Sequence, residues 1–217
     1  MSCFKQGWMA NFKKRNNIKE YYKLGEAASA PIHQLPGFRT ELQSVISQYD
    51  LEDVYNADET GLYWKLEPHK SLASGPISGL KKPKDRITIM LTCNATGTHK
   101  LPPLFIYKYK NPRCIHHIDK RTLPVQYFWN NASWMQRSIF RTWIKQFNRE
   151  MGKRRRNILL LIDNASSHQL AESEIEELSN IKLYFLPPNT TSHLQPIDQG
   201  IISSFKVIIH VHYFLML

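Results

Sequence analysis

Three aspartates stand where chemistry could use them. Asp58 closes a short strand-like stretch, Asp53-Val54-Tyr55-Asn56-Ala57-Asp58, and Asp163 closes the apolar run from Asn157 to Ile162. Asp198 follows Asp163 by 35 positions, near the start of a helical stretch. Carboxylates at the ends of adjacent strands, with a third on a following helix, can converge on one point. Such a group suits phosphodiester chemistry, which needs charge neutralised on phosphoryl oxygens and a nucleophile held in line. Two Mg²⁺ or Mn²⁺ ions about 3.5–4 Å apart supply both, and hard ions of this kind prefer carboxylate oxygen to Cys or His. Each acid also has an ordinary reading. Asp58 suits a turn or a helix N-cap, Asp163 a strand-to-helix turn, and Asp198 the first turn of a helix, where it complements the dipole. Spacing alone leaves both readings open.

The elements that must position these acids are legible in outline. Asn157-Ile158-Leu159-Leu160-Leu161-Ile162 is the kind of continuous apolar run found in a strand buried on both faces. Arg86 to Asn94 predicts a strand, Ala95-Thr96-Gly97-Thr98 a turn, and Leu101 to Tyr107 the hairpin partner, with Pro102 and Pro103 at its entry. Ser133 to Met151 predicts the longest helix, capped by Ser133, stopped by Gly152, with Ile139, Trp143, Ile144 and Phe147 on one face. Ser167 to Leu178 reads as an acidic helix, Ile181 to Leu186 as a strand ended by Pro187-Pro188, and Pro196 to Val207 as a helix with proline in its first turn. Before Asp58, a helical basic segment reaches about Ala30, Pro31 to Gly37 reads as a linker, and a short helix is expected over Phe38 to Gln48. The whole order is an α/β class with antiparallel strands early and parallel ones later, the order of the RNase H-like fold: a mixed sheet flanked by helices.

Composition bounds what such a domain can meet. The chain has 217 residues, 42% of them hydrophobic and 22% charged, so it can bury a core and is not expected to be disordered. A net charge of +11 points to polyanions, above all nucleic acid. The charge is clustered at Lys13-Lys14-Arg15, at Lys81, Lys82, Lys84 and Arg86, and at Lys153-Arg154-Arg155-Arg156. The second cluster, with Lys70, lies between Asp58 and the hairpin and is the candidate for DNA-backbone contacts. The third starts a strand whose other end is Asp163, so it is expected to face away from the acids, as solvated surface or a nuclear-targeting patch. Trp129, Trp134 and Trp143 are expected in the core. Three scattered cysteines (Cys3, Cys93, Cys114) argue against a disulfide scaffold, and no Cys-x-x-Cys pair suggests zinc. No secretory signal is visible, and the apolar run Val207 to Leu217 is too short to span a bilayer.

The strings around the three acids carry a resemblance. Tyr55-Asn56-Ala57-Asp58-Glu59-Thr60-Gly61-Leu62-Tyr63-Trp64-Lys65, then Leu161-Ile162-Asp163-Asn164-Ala165-Ser166-Ser167-His168, then the stretch from Phe185-Leu186-Pro187-Pro188-Asn189-Thr190-Thr191 to Gln195-Pro196-Ile197-Asp198-Gln199-Gly200, resemble in order the catalytic blocks of the Tigger/pogo transposases. These are DDE superfamily endonucleases, a group that includes jerky-like and centromere-protein-B-like domesticated proteins. The resemblance implies that Asp58, Asp163 and Asp198 hold two Mg²⁺ (or Mn²⁺) ions and catalyse cleavage and transfer of DNA strands. It implies orienting or DNA-positioning roles for Asn164 and His168. Glu59 follows Asp58 directly, and strand alternation turns it to the opposite side, so it is not counted as a ligand.

The resemblance also implies a layout: residues 1–30 as the end of a helix-turn-helix DNA-binding module, 31–50 as linker and short helix, 51–206 as the catalytic domain, and 207–217 as an atypical, truncated tail. Partners would be transposon-end and target DNA and a possible homodimer, with no membrane and no small-molecule cofactor, in the nucleus. The alternative is a domesticated or truncated, catalytically inactive nucleic-acid-binding protein of the same family.

Overall fold

The computed structural model of the chain describes residues 11–12, 14–16, 32–63, 86–188 and 190–215. Among the described residues six strands form one sheet: β1 (Val54–Leu62), β2 (Ile87–Asn94), β3 (Leu104–Tyr107), β4 (Gln126–Trp129), β5 (Ile158–Ile162) and β6 (Ile181–Phe185), in the order β4-β3-β2-β1-β5-β6. β2 runs antiparallel to both of its neighbours, β1 and β3, while β5 lies parallel to β1 and β6 parallel to β5. This is the mixed sheet expected of an RNase H-like fold. The strand that the sequence did not reveal, β4, adds parallel to β3 at the edge. It is four residues long and only partly buried, so it carries no apolar alternation to read.

The longest helix, α2 (Arg137–Lys153), packs on one face of the sheet. Ile139, Phe140, Trp143, Ile144, Phe147 and Met151 meet Tyr55 and Ala57 of β1, Met90 of β2 and Ile158, Leu160 and Ile162 of β5. On the other face α1 (Leu35–Ile46) brings Leu35 and Leu42 to Val54, Leu159 and Leu161. β5 is therefore apolar at every position because alternate side chains enter different cores, and all five are buried.

Several boundaries differ from expectation. α1 begins at Leu35 instead of Phe38, because Pro36 fits a first helical turn and a 3₁₀ turn over Ile32–Gln34 leads into it. Ser133 does not cap α2: it sits in a left-handed turn (φ 52°), and the helix starts at Arg137. Gly152 lies inside the last turn of α2, where a Cβ would come within 3.0 Å of Asn180 Oδ1, so its smallness serves packing instead of stopping the helix. The acidic stretch splits into a 3₁₀ turn, Ser166–His168, and the short α3 (Glu172–Glu176). After α4 (Thr191–Leu194), the expected helix over Pro196 to Val207 is a π-turn, Ile197–Ile201, kinked at Gln199 and Gly200, followed by α5 (Ile202–Leu215). The tail from Val207 thus continues a helix as far as Leu215. No helix among the described residues is long and apolar enough to cross a membrane. Most of the expected N-terminal module, residues 1–30, lies outside the described residues, as do Lys70, Lys81, Lys82 and Lys84.

Candidate metal centre

Register brings two of the acids together. β1 and β5 pair in parallel, Asn56 opposite Leu161, so one further alternation on each strand sets Asp58 beside Asp163. β1 does not end at Asp58, as the sequence suggested, but runs on to Leu62 because its far half pairs with β2 through Leu62 opposite Ile87. Asp58 is thereby held in mid-strand and buried (8% exposed), with one carboxylate oxygen accepting the Glu59 backbone N–H at 2.8 Å.

The third acid arrives by a turn that is tied to the sheet. Ile197 is fully buried, and its N–H donates to Asn56 Oδ1 at 2.9 Å while Asn56 Nδ2 donates to the Leu161 carbonyl at 2.9 Å. Gln195, also fully buried, donates Nε2 to the Ala57 carbonyl at 2.8 Å. Two amides thus lock the Gln195–Ile197 segment onto β1 and β5, and Asp198, the next residue, projects at the surface. Neither Asn56 nor Gln195 was singled out from sequence. Both lie inside the quoted blocks, but partners 105 and 138 positions away cannot be read from a string.

The charges gathered here act on one another. Burial, then Glu59, Asp198 and Asp163, push the Asp58 carboxyl up to about 7, against the pull of the Glu59 N–H. Asp58 thus feels both other aspartates. A site that strains to stay ionised is chemically suited to a cation, and an all-oxygen aspartate set suits a hard divalent one.

Glu59 behaves as alternation required and turns to the α2 face, yet it is not a bystander. The His168 imidazole, 1% exposed and packed on Phe140 with ring centroids 4.7 Å apart, bridges Nδ1 to Asp163 Oδ1 at 2.5 Å and Nε2 to Glu59 Oε1 at 2.9 Å. Burial disfavours its charge, but the hydrogen bonds to Asp163 and Glu59 outweigh burial and raise its pKa to about 10. Glu59, Asp163 and His168 form a cluster whose ligand-capable atoms all lie within 4.8 Å. His168 accordingly orients Asp163, while Asn164 is exposed and its Oδ1 accepts from Gln169 Nε2 at 2.5 Å, a turn contact.

The basic clusters divide. Arg154 pairs with Glu150 and Arg156 with Asp53 at the start of β5, the end away from Asp163, as expected. Arg86 lays its guanidinium 3.4 Å over the Trp134 ring. Trp143 is in the core, but Trp129 and Trp134 are 46% and 60% exposed, contrary to expectation.

Comparison with known proteins gives the family and the fold. The chain is 35% identical over 210 residues to CENP-B homolog protein 2 of Schizosaccharomyces pombe, covering 94% of this chain and 40% of that protein. It is 34% identical over 217 residues to the human Tigger transposable element-derived protein 7, covering 92% and 39%. The chain therefore spans about two fifths of the length of these relatives. Among solved structures, the Mos1 mariner paired-end complex with Mn superposes with a TM-score of 0.53 at 13% identity, over 92% of this chain and 56% of that one, a likeness of fold. The model of the family described as DDE superfamily endonuclease matches residues 84–216, more than half of the chain and inclusive of Asp163 and Asp198, and on that match the chain belongs to the DDE superfamily endonucleases.

Proposed function

We propose that this domain, residues 51–206, catalyses divalent-metal-dependent cleavage and transfer of DNA strands, with Asp58, Asp163 and Asp198 as the metal ligands. The observation that carries the reading is a buried mid-strand aspartate, Asp58, whose carboxyl feels the charges of both Asp163 and Asp198. Two bound Mg²⁺ or Mn²⁺ ions would supply charge neutralisation at the phosphoryl oxygens and activation of water or a 3′-hydroxyl. The chain's own groups do the rest. Asn56 and Gln195 fix the turn bearing Asp198, and His168 fixes one oxygen of Asp163. DNA is the substrate consistent with the +11 charge, and the nucleus is the compartment where it would be met. Residues 1–30 are proposed to close a helix-turn-helix module that positions the DNA, and Lys81, Lys82, Lys84 and Arg86 to contact its backbone.

One observation favours a second reading, DNA binding without turnover: His168 already occupies an oxygen of Asp163. Calorimetry with Mn²⁺, together with a nicking assay on supercoiled DNA, separates the two. The catalytic reading expects Mn²⁺ binding that Asp163→Asn abolishes, and nicking that disappears in all three Asp→Asn variants. Absence of Mn²⁺ binding at millimolar concentration would sink it, and DNA binding without nicking would leave the second reading.

A further inference from the structure

Trp134 is 60% exposed, although Phe140, Trp143 and Phe147 of the helix that follows are buried. Its display is built. Asn130 Oδ1 accepts the Ala132 and Trp134 N–H groups at 3.1 and 3.3 Å, and Asn130 Nδ2 donates to the Trp134 carbonyl at 2.7 Å. Ser133 is turned into the left-handed region, which non-glycine residues adopt only when surroundings enforce it, and Thr88 Oγ1 holds its carbonyl at 2.6 Å. Arg86 reaches the same carbonyl at 3.5 Å and lays its guanidinium on the indole. The Tyr63 ring and the Arg86 Nη1 lie against Gly61, 3.6 and 3.9 Å from where a Cβ would stand. Tyr63, Arg86 and Trp134 thus form a row beside Gly61, which sits two residues beyond Glu59 on the same face of β1, about 7 Å along the strand.

A rigid aromatic face backed by a guanidinium selects a ligand with a π-face and negative charge. A cationic or aliphatic partner gains nothing from Arg86. A nucleobase attached to its phosphate meets both demands, and only an unpaired base has a free face, because duplex bases cover one another. We infer that Trp134, braced by Arg86, is the stacking seat for an unpaired base of a DNA strand held by this domain. The inference rests on the DNA-processing reading above and adds where the strand end is gripped.

The test uses fluorescence anisotropy with the full chain and Ca²⁺ in place of Mg²⁺. Three labelled ligands are compared: a blunt duplex, the same duplex with a three-nucleotide 3′ overhang, and that overhang made abasic. The expected result is a preference of about 5- to 150-fold for the base-bearing overhang over the abasic one. Trp134→Ala removes that preference without changing blunt-duplex affinity, and Trp134→Tyr retains most of it. Equal weakening of all three ligands by Trp134→Ala, no weakening at all, or a change in sedimentation coefficient that marks the indole as a contact between copies, each overturns the seat. If the native chain binds blunt duplex but shows no overhang preference, only this inference falls. If it binds none of the three, the DNA reading falls with it.

Discussion

Asp58 is where the chemistry of the site becomes measurable without a substrate. Its folded pKa of about 7 lies above the value of 3.8 expected in an unfolded chain. A raised carboxyl contributes stability while protonated, so that contribution is complete below about pH 4 and is lost as pH rises through about 7. The loss approaches about 4 kcal/mol at pH 8, the order that such a separation of pKa values implies. Urea unfolding of the metal-free protein from pH 5 to 8 should therefore show falling stability, and Asp58→Asn should flatten the profile. Millimolar Mg²⁺ should restore stability chiefly at the alkaline end, where the site is ionised and binding to the folded state draws the equilibrium toward it. A flat profile in the native chain would contradict the clustering of acids. His168 offers a second check. Its imidazolium lies between two carboxylates, so His168→Ala leaves Glu59 and Asp163 facing without a cation, at a cost of about 3 kcal/mol in chemical unfolding at pH 7. His168→Phe should keep packing on Phe140 but not the charge, so most of that cost should remain.

At the scale of elements, the site depends on how one turn is tied to two strands. Asn56 spends both ends of its amide on backbone groups of β5 and of the Asp198 turn. Asn56→Ala leaves the Ile197 N–H and the Leu161 carbonyl without those partners, at about 1–3 kcal/mol. Because the same change loosens Asp198, it should also weaken Mn²⁺ affinity measured by calorimetry, whereas a core change such as Leu159→Ala should lower stability and leave that affinity near the native value. Most of the strands were readable in the sequence: the apolar run of β5 declares burial on both faces and puts Asp163 at its end, whereas the edge strand β4 and the mid-strand position of Asp58 were not. Less was readable where tertiary contacts overrode local signals. Ser133 looks like a cap until its carbonyl is claimed by Thr88, and the expected helix from Ser167 breaks because His168 is drawn to Asp163 and Glu59, the latter 109 positions away. Glu59 was placed on the correct side by alternation alone, yet its partner lies on another element, so its role could not be derived from the strand.

The molecule as a whole carries +11, but the charge is not equally placed to meet DNA. The Lys153–Arg156 cluster precedes β5, six residues and about 20 Å of strand from Asp163. Lys153 and Arg155 are exposed there, while Arg154 and Arg156 are engaged by Glu150 and Asp53. If DNA is bound across the aspartates, these side chains lie beyond its path. Each phosphate contact contributes about 0.9 to the slope of log affinity against log salt concentration. Anisotropy titrations of a duplex between 50 and 200 mM salt, concentrations at which such contacts are readily resolved, should then give the same slope for the native chain and for the Lys153→Ala/Arg155→Ala pair. A slope smaller by about 2 in the pair would mean that both residues hold phosphates. That result would place DNA along the start of β5, around the far end of the sheet, and would separate DNA binding from the aspartate site altogether.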